Sequence, residues 1–585
     1  MGSSLLEKRL EQLEPRLRAD LSAITREVHR AWDMFGENVW FADHSVAHSE
    51  RVIDMIEQIL VPFLPDGSRC DPSRSILLSD ASPVRPLTAH ELYVLLAACY
   101  LHTISLPFTF HLSKLDTLSV DGYHDILRYY PRLSYEVILK SAAGVETGQP
   151  TSLGLRNDMY LRLIALIVKA TNAGTFEDAV REFQENYPDP KGFRGELLAA
   201  LLLMGNQLDV TRKRARFSNA MANNAASLLH NHTYSYIRDV RILHESNPMA
   251  RKIKIWFEFP SHKDWEDRQY EAGIRSWVIG TLKLPCKRAQ STFSEFAGGL
   301  TWDSEVEEVI AGPSQNLRSM PGNAIALLHE FQYEQRTVDR IALKQALKGL
   351  LRSGHGGCIA IRCPEYSDQR FLIEWFEAVC QRYDKVTPVR LTFEPGRSDD
   401  REGILERIAL GLDPELFHDF WLEQKRLDRE AKLWSARLPD LVSVFLERFK
   451  AVCARTQPVL VLENVHLLET KGKDWLRRKI LEPIQGKDVA RRPLIVLLLS
   501  GQGDELLCAS PDENCFTLHP FTADEVKEHL RRVLGYSNEG ASVEAQRIVT
   551  ETGGLPSLVL GEVDQKWMEY TQLWKILELP SSILP

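Results

Sequence analysis

The sequence predicts a multidomain chain: an all-α region over 1–234, a small α+β region over 235–312, and a linker over 313–324. An α/β region with a largely parallel sheet then spans 325–520, and closing helices cover 521–585. Three observations predict this. The 585 residues exceed the roughly 100–200 expected of one domain. Before about residue 235 apolar side chains recur every three or four positions, the period of a helix. After about 325, short apolar β-type runs alternate with helical ones, the pattern of a parallel sheet covered by helices.

In order, Leu6, Leu10, Leu13, Leu17, Leu21, Ile24 and Val28 form one amphipathic stripe, and Pro15, off that stripe, marks the start of its main helix. Thr88-Ala-His-Glu91 is a capping box opening the apolar run Leu92–Leu101, which is too short to span a bilayer and reads as a buried helix. Leu161–Ala170 and Leu197–Leu208 are further buried helices. In 252–259 the residues Ile253, Ile255, Phe257 and Phe259 alternate with Lys252, Lys254, Trp256 and Glu258, a half-buried strand stopped by Pro260. Tyr270, Ile274, Trp277, Val278 and Leu282 return to helical spacing, and Gly312-Pro313-Ser314 with Pro321-Gly322 reads as a hinge. A helix ending near Leu351 then leads to strands at Cys358–Ile361, Val389–Phe393, Val459–Glu463, Leu494–Leu499 and Phe516–Leu518.

Composition narrows the function. Hydrophobic residues make up 44% and charged ones 26%, and 71 basic against 80 acidic side chains leave a net charge of −9. Whole-surface attraction to nucleic acid or anionic membrane is disfavoured. Nine cysteines without CxxC pairs point to reduced thiols, and MGSSLLEKRLEQ has no secretory h-region, so a cytoplasmic protein is expected. The one basic run, Thr211-Arg-Lys-Arg-Ala-Arg216, follows Asp209 on what should be the same helix and reads as a solvated face, which makes nucleic acid an unlikely partner.

The chemistry-bearing residues of the first region are His44 and His48, four apart on one helix face, then His102-Thr103, then Asn206 and Asp209. HSERV, LTAHELYVLLAACYLHT and LLLMGNQLDVTRKRA, spread over 40–215, resemble the HD-domain superfamily of metal-dependent phosphohydrolases. The closest likeness is to the branch found in bacterial multidomain proteins. That resemblance implies a histidine, a His-Asp pair and a distal aspartate around a divalent cation that activates water. Here Thr103 stands where the paired aspartate belongs and Asn206 where the distal one falls, while Thr171-Asn172 occupies a place that often carries a further histidine. With two anionic ligands neutral, no metal is expected. The alternative is a zinc, manganese or iron site built from His48, His102 and Asp209, with His44 beside them, Asp209 being the distal ligand if the register is one turn off.

In the second half, the loop after Cys358–Ile361 lacks the glycines and lysine of a phosphate cradle and carries Glu365 and Asp368. Its surroundings nevertheless resemble the STAND branch of AAA+ NTPases over 325–585. The leading segment Phe331–Arg336 ends in Arg336, Pro458–Glu463 with Asn464 is similar to a Walker B strand, and Gly553-Gly-Leu-Pro556 is similar to an adenine-contacting element. The resemblance implies a P-loop-NTPase-like domain with a helical lid, and ATP or ADP as the alternative cofactor. The expectation is a catalytically degenerate scaffold or sensor subunit in a bacterial conflict or anti-phage setting, acting on protein partners, among them an active enzyme encoded nearby. The alternatives are a metal-dependent phosphohydrolase acting on a nucleotide and an ATP-binding switch. Oligomeric state is not legible.

Overall fold

A computed structural model describes residues 3–571, apart from 36–41, 108–119, 143–152, 188–191, 218–223, 261–265, 394–400, 430–433, 487–490, 500–514 and isolated positions of one or two residues. It divides into two compact units, Met1–Ala324 and Ile325–Pro585. The first is helical with one small sheet, and the second is α/β. Residues 235–312, expected as a region of their own, lie in the same unit as 1–234. Gly312 and Pro313 of the expected hinge fall outside the described residues.

The N-terminal stripe is two helices, Leu5–Leu13 and Pro15–Phe35, where one was expected. Glu14 between them leaves helical geometry at φ −154° and ψ 87°. Pro15, which has no N–H to donate, begins the second helix. The break turns Leu13 out of the stripe, 42% exposed, while Leu6, Leu10, Leu17, Leu21, Ile24 and Val28 stay buried.

Two core helices position the site. Ala89–Leu101 begins at the predicted box: Thr88 accepts from the Glu91 amide, and Glu91 accepts from the Thr88 amide. Glu91 is fully buried and also receives the Arg194 amide, its Nε and its Nη2 at 2.9–3.0 Å. Arg194 is the residue before the helix Gly195–Leu208. One ion pair therefore clamps the N-termini of both helices, and at 1.5 Å per residue His102 and Asn206 lie about 17 Å along from it. Among the described residues, Ala89–Pro107 is the one stretch long and apolar enough to cross a membrane, and 89% of it is buried in the first unit.

The small sheet pairs β1 (Ile237–His244) with β2 (Ala250–Phe257) antiparallel, and β2 with the short β3 (Thr301–Trp302) and β4 (Glu307–Ile310) parallel. Ile253, Ile255 and Phe257 are buried as their alternation predicts. The ladder stops at Phe257, two residues short of the expected end, because β1 begins opposite it at Ile237. The sheet is tied to the helical core by Arg251, whose Nε donates to the Ile59 carbonyl at 2.9 Å. The helix Glu266–Phe296 follows β2 and carries Trp277, Val278 and Thr281.

In the second unit β5 (Gly357–Arg362), β6 (Val386–Thr392), β7 (Gln457–Glu463), β8 (Leu494–Leu499) and β9 (Cys515–Thr517) form a parallel sheet in the order β6-β7-β8-β5-β9. Buried clusters cover both faces, which is why β8 is apolar at every position. Gly356, before β5, has φ +64°, and a Cβ there would lie 2.3 Å from the Arg492 carbonyl oxygen, so this glycine serves a close backbone crossing.

Candidate functional site

His48 sits in the first turns of the helix Val46–Leu60, whose N-cap Ser45 accepts from the Ala47 amide. His102 caps the C-terminal end of Ala89–Leu101, and Asn206 lies in the last turn of Gly195–Leu208. All three are buried, as are His44, Thr103 and Asp209. His102 Nδ1 is 2.7 Å from the Cys99 carbonyl, which can only accept, so the proton sits on Nδ1 and Nε2 is a bare lone pair. His48 Nδ1 is hydrogen-bonded to Asp209 Oδ2 at 2.6 Å. The two Nε2 atoms face each other at 3.0 Å, with Asn206 Oδ1 3.2 Å from that of His48; since His102 Nε2 and Asn206 Oδ1 can only accept, the proton between them is on His48 Nε2. The Asn206 amide is oriented by donation from Nδ2 to Tyr130 Oη at 3.2 Å and to the Thr171 carbonyl at 3.3 Å.

Burial depresses the basicity of these rings. His44 and His48 are held well below the ordinary histidine range by desolvation, reinforced by the Arg214 guanidinium. For His48 the nearby Asp209 carboxylate pulls the other way, but Arg51 already neutralises it, so the downward direction stands. His102 is pushed down to about 4, chiefly by burial. Around the rings, Arg51 Nε donates to both Asp209 oxygens at 3.0 and 3.1 Å, and its Nη2 reaches Asp43 Oδ2 at 3.0 Å. Arg216 Nη2 reaches Asp43 Oδ1 at 2.9 Å. Burial works against the Asp43 anion, but the Ser45 hydrogen bond and the two guanidinium groups hold its carboxyl below its usual range.

Asn206, not Asp209, meets the imidazole pair on its Nε2 side. Asp209 reaches the opposite edge of His48, so His48, His102 and Asp209 do not converge on one point. Thr103 Oγ1 donates to the His44 carbonyl at 3.0 Å and is turned away from both Nε2 atoms. His44 stands edge-on to His48, ring centroids 5.3 Å apart. The converging set is thus two neutral imidazoles and one neutral amide oxygen. A hard hydrolytic cation needs carboxylate charge in its ligand set, and these residues do not fit one. Among the described residues, no group of three or more His, Cys, Asp or Glu side chains is placed to hold a metal ion.

The basic run is not the solvated helical face it was expected to be. The helix ends at Leu208, Arg212–Arg214 form a 3₁₀ turn, and Arg214 is buried. Arg212 pairs with Glu258 at 2.6 Å and Arg216 with Asp43. Sequence reasoning missed Arg51, Arg214 and Arg216 as parts of the site. Arg51 lay in the HSERV motif and Arg214 in the basic run, but neither spacing nor charge tells which arginine turns inward.

In the second unit two acids of the expected nucleotide site, Glu463 and Asp368, are internally paired. Glu463, at the end of β7, is engaged by the Arg390 guanidinium and approached by Thr392 Oγ1 and Gln369 Nε2, each at 3.4 Å. Asp368 is paired with Arg340 at 3.1 and 3.2 Å, and Arg340 also donates to the His519 carbonyl at 2.7 Å. Glu365 is exposed. Asn464 takes a left-handed conformation (φ 57°) and donates to the Phe393 carbonyl at 3.5 Å. Arg336 pairs with Asp564, and Pro556 is buried at the start of that residue's helix, Pro556–Thr571. Gly554 has φ +71°, and a Cβ on it would meet the Phe521 carbonyl oxygen at 2.6 Å, so the Gly553-Gly554 turn packs against the segment before the helix Ala523–Leu534.

A family model, HD-CE, matches residues 40–272, and that stretch is an HD-like domain. The match begins just before His44 and ends inside the helix Glu266–Phe296, so it takes in both the histidine cluster and the pair β1–β2. No curated protein matches the chain.

Proposed function

We propose that the chain is a catalytically degenerate scaffold or sensor subunit that acts through protein–protein contact. The observation that carries this reading is the replacement of charge at the histidine cluster. Asn206 offers a neutral oxygen beside His48, Thr103 is spent on a backbone carbonyl, and the remaining acid, Asp209, is tied to Arg51. Without anionic ligands there is little to bind a cation strongly enough to activate water at neutral pH. The family resemblance adds a bacterial conflict or anti-phage setting and a cytoplasmic location, with an active enzyme encoded nearby as the kind of partner expected. The second unit is read in the same way, as a STAND-like NTPase framework without its phosphate grip. Its parallel sheet supports that likeness, and the pairing of Glu463 with Arg390 argues against a nucleotide there.

A second reading, a metal-dependent phosphohydrolase acting on a nucleotide, has one observation in its favour: two imidazole Nε2 atoms 3.0 Å apart, close to the spacing of two ligands on one zinc ion once the proton between them is lost. Metal analysis of tag-free protein separates the two. Stoichiometric zinc, manganese or iron lost in both His48→Ala and His102→Ala supports the enzyme. Co-purification with neighbouring gene products supports the scaffold, and a strictly monomeric chain without a partner sinks it. Thermal shift with ATP and ADP tests the remaining switch reading, since a ligand bound only by the native state raises apparent stability.

A further inference from the structure

In the second unit the helices Ala523–Leu534, Asn538–Thr552 and Pro556–Thr571 pack mainly on one another. Val526, Leu530, Ile548, Val559 and Val563 are buried in them, and none of these belongs to either apolar cluster that covers the sheet. Glu544 pairs with Lys566 at 2.7 Å and Arg547 with Glu562 at 3.1 Å, which stitches the second helix to the third. The lead-in residue Phe521 donates its amide to the Gly554 carbonyl at 2.8 Å, at the turn between those two helices. Phe521 and the three helices are thus tied into one body.

That body is held by three neighbouring residues. Gln335 and Arg336 close the helix Gly322–Arg336, and Arg340 stands just before the helix Ile341–Ser353. The Gln335 carbonyl accepts from His529 Nε2 at 3.0 Å, and Gln335 Oε1 accepts from Trp567 Nε1 at 3.2 Å. Arg336 pairs with Asp564 through two nitrogens and lies over the Trp567 ring. Arg340 Nη2 donates to the His519 carbonyl at 2.7 Å, and the guanidinium lies 4.4 Å from the Phe521 ring centroid. Its fork also meets both oxygens of Asp368, which precedes the helix Gln369–Gln381. Arg340 does this with φ +66° and ψ 25°, a left-handed backbone that an L residue adopts at a cost. Such a conformation persists where contacts over-determine it, and those of Arg340 join the body to the segment after β5.

We propose that Gln335, Arg336 and Arg340 form a latch from which the three helices, with Phe521, release and re-dock as a single rigid body. Rigidity makes the ties interdependent: loosening the body at Phe521 loosens it at Trp567, and the reverse holds by linkage. This goes beyond the scaffold reading and does not depend on it. The test is hydroxyl-radical labelling of the full chain, read by mass spectrometry at Phe521, Trp567 and Ile548, which are 3%, 1% and 0% exposed. Arg340→Gly suits the left-handed backbone and removes only the side chain, whereas Gln335→Ala removes the acceptor of Trp567 and leaves Arg340 in place. Arg340→Gly raises labelling about tenfold at both Phe521 and Trp567, the weight of a lost hydrogen bond from a charged group. Gln335→Ala removes a neutral acceptor and raises both about threefold. Ile548, inside the body, stays protected in both variants. Labelling that rises only beside the substituted side chain, or at neither position, overturns the proposal. So does labelling of Ile548 in step with the other two, which means that the helices unfold instead of undocking. If Arg340→Gly unfolds the unit, seen at Trp375, fully buried against the sheet, Arg340→Lys keeps the charge without the fork and reads the same pair. None of these results bears on partner co-purification, so failure of the latch and failure of the scaffold reading remain distinguishable.

Discussion

Lowering the pH from 7.5 to 5.5 should destabilise the first unit steeply. His44, His48 and His102 are buried with basicity depressed below the ordinary value of 6.5. In the unfolded chain each takes up a proton as the pH falls through about 6.5, while in the folded chain each stays neutral. Unfolding therefore gains protons in this window, and stability present above 6.5 is lost below it. Each such histidine shifts the folding equilibrium about tenfold between pH 7.5 and 5.5, so three shift it roughly a thousandfold, or about 4 kcal/mol. His232, pushed down to about 4 by burial, adds a further factor of about ten. That is a large part of the roughly 5–15 kcal/mol that holds a typical domain. Asp43 and Glu91, held below their usual range, lose their contributions only at lower pH. The assay is a urea titration at both pH values read by hydrogen exchange in peptides covering 89–106 and 195–208, which isolates the first unit. The midpoint should fall by about 1 M urea or more. An unchanged midpoint would mean that the cluster already carries its protons in the folded state, with His48 an imidazolium on Asp209. The neutral state of the three rings would then be wrong.

Glu91→Gln should cost about 3–5 kcal/mol, because it leaves Arg194 buried without its counterion at the shared start of two core helices; the same exchange assay reads it. Arg51→Met strips Asp209 of its main partner and should cost about 2–4 kcal/mol at pH 7.5 but less at pH 5.5, where His48 can take a proton and pair with the stranded carboxylate. Asn206→Asp should raise affinity for manganese or zinc by metal analysis more than Thr103→Asp does, since Asn206 Oδ1 already lies 3.2 Å from His48 Nε2 whereas Thr103 points at the His44 carbonyl; the double variant should bind most tightly. In the second unit, Asp564→Asn should loosen the helix Pro556–Thr571, seen as faster exchange there and about 1–2 kcal/mol of lost local stability, because Arg336 loses its ion pair and keeps its stacking on Trp567 and Tyr333.

Much of the fold was legible because its signals are local. The Thr88–Glu91 box, the alternation from Ile253 to Phe257 and the apolar run of β8 each follow from neighbours in sequence, and each forms as expected. What stayed hidden depends on partners far along the chain. The stripe from Leu6 to Val28 keeps a helical period across Glu14, so periodicity alone could not show the break. The end of β2 is set by where β1 begins, and β1 carried no strong alternation of its own. At the site, the order His48, His102, Asn206 could be read from motif spacing, but the roles of Asp209 and Arg214 could not. One turn of helix separates Asn206 from Asp209, and which of them faces His102 is decided by where the helix stops. The basic run looked like a solvated face because charge in sequence carries no sign of burial. Only the turn at Arg212–Arg214 sends one of its arginines inward.

The buried acids of the two units meet their charge in the same way. A buried acid faces a choice set by electrostatics: it protonates, reaches water or acquires an internal counterion. Asp209 has Arg51, Glu463 has Arg390 and Asp368 has Arg340, each pairing across distant stretches of chain. Such pairs add little net stability when buried, because desolvation offsets most of the attraction. Their effect is to remove the charge that would recruit a metal or repel a phosphate, and to fix the surrounding loops in one arrangement.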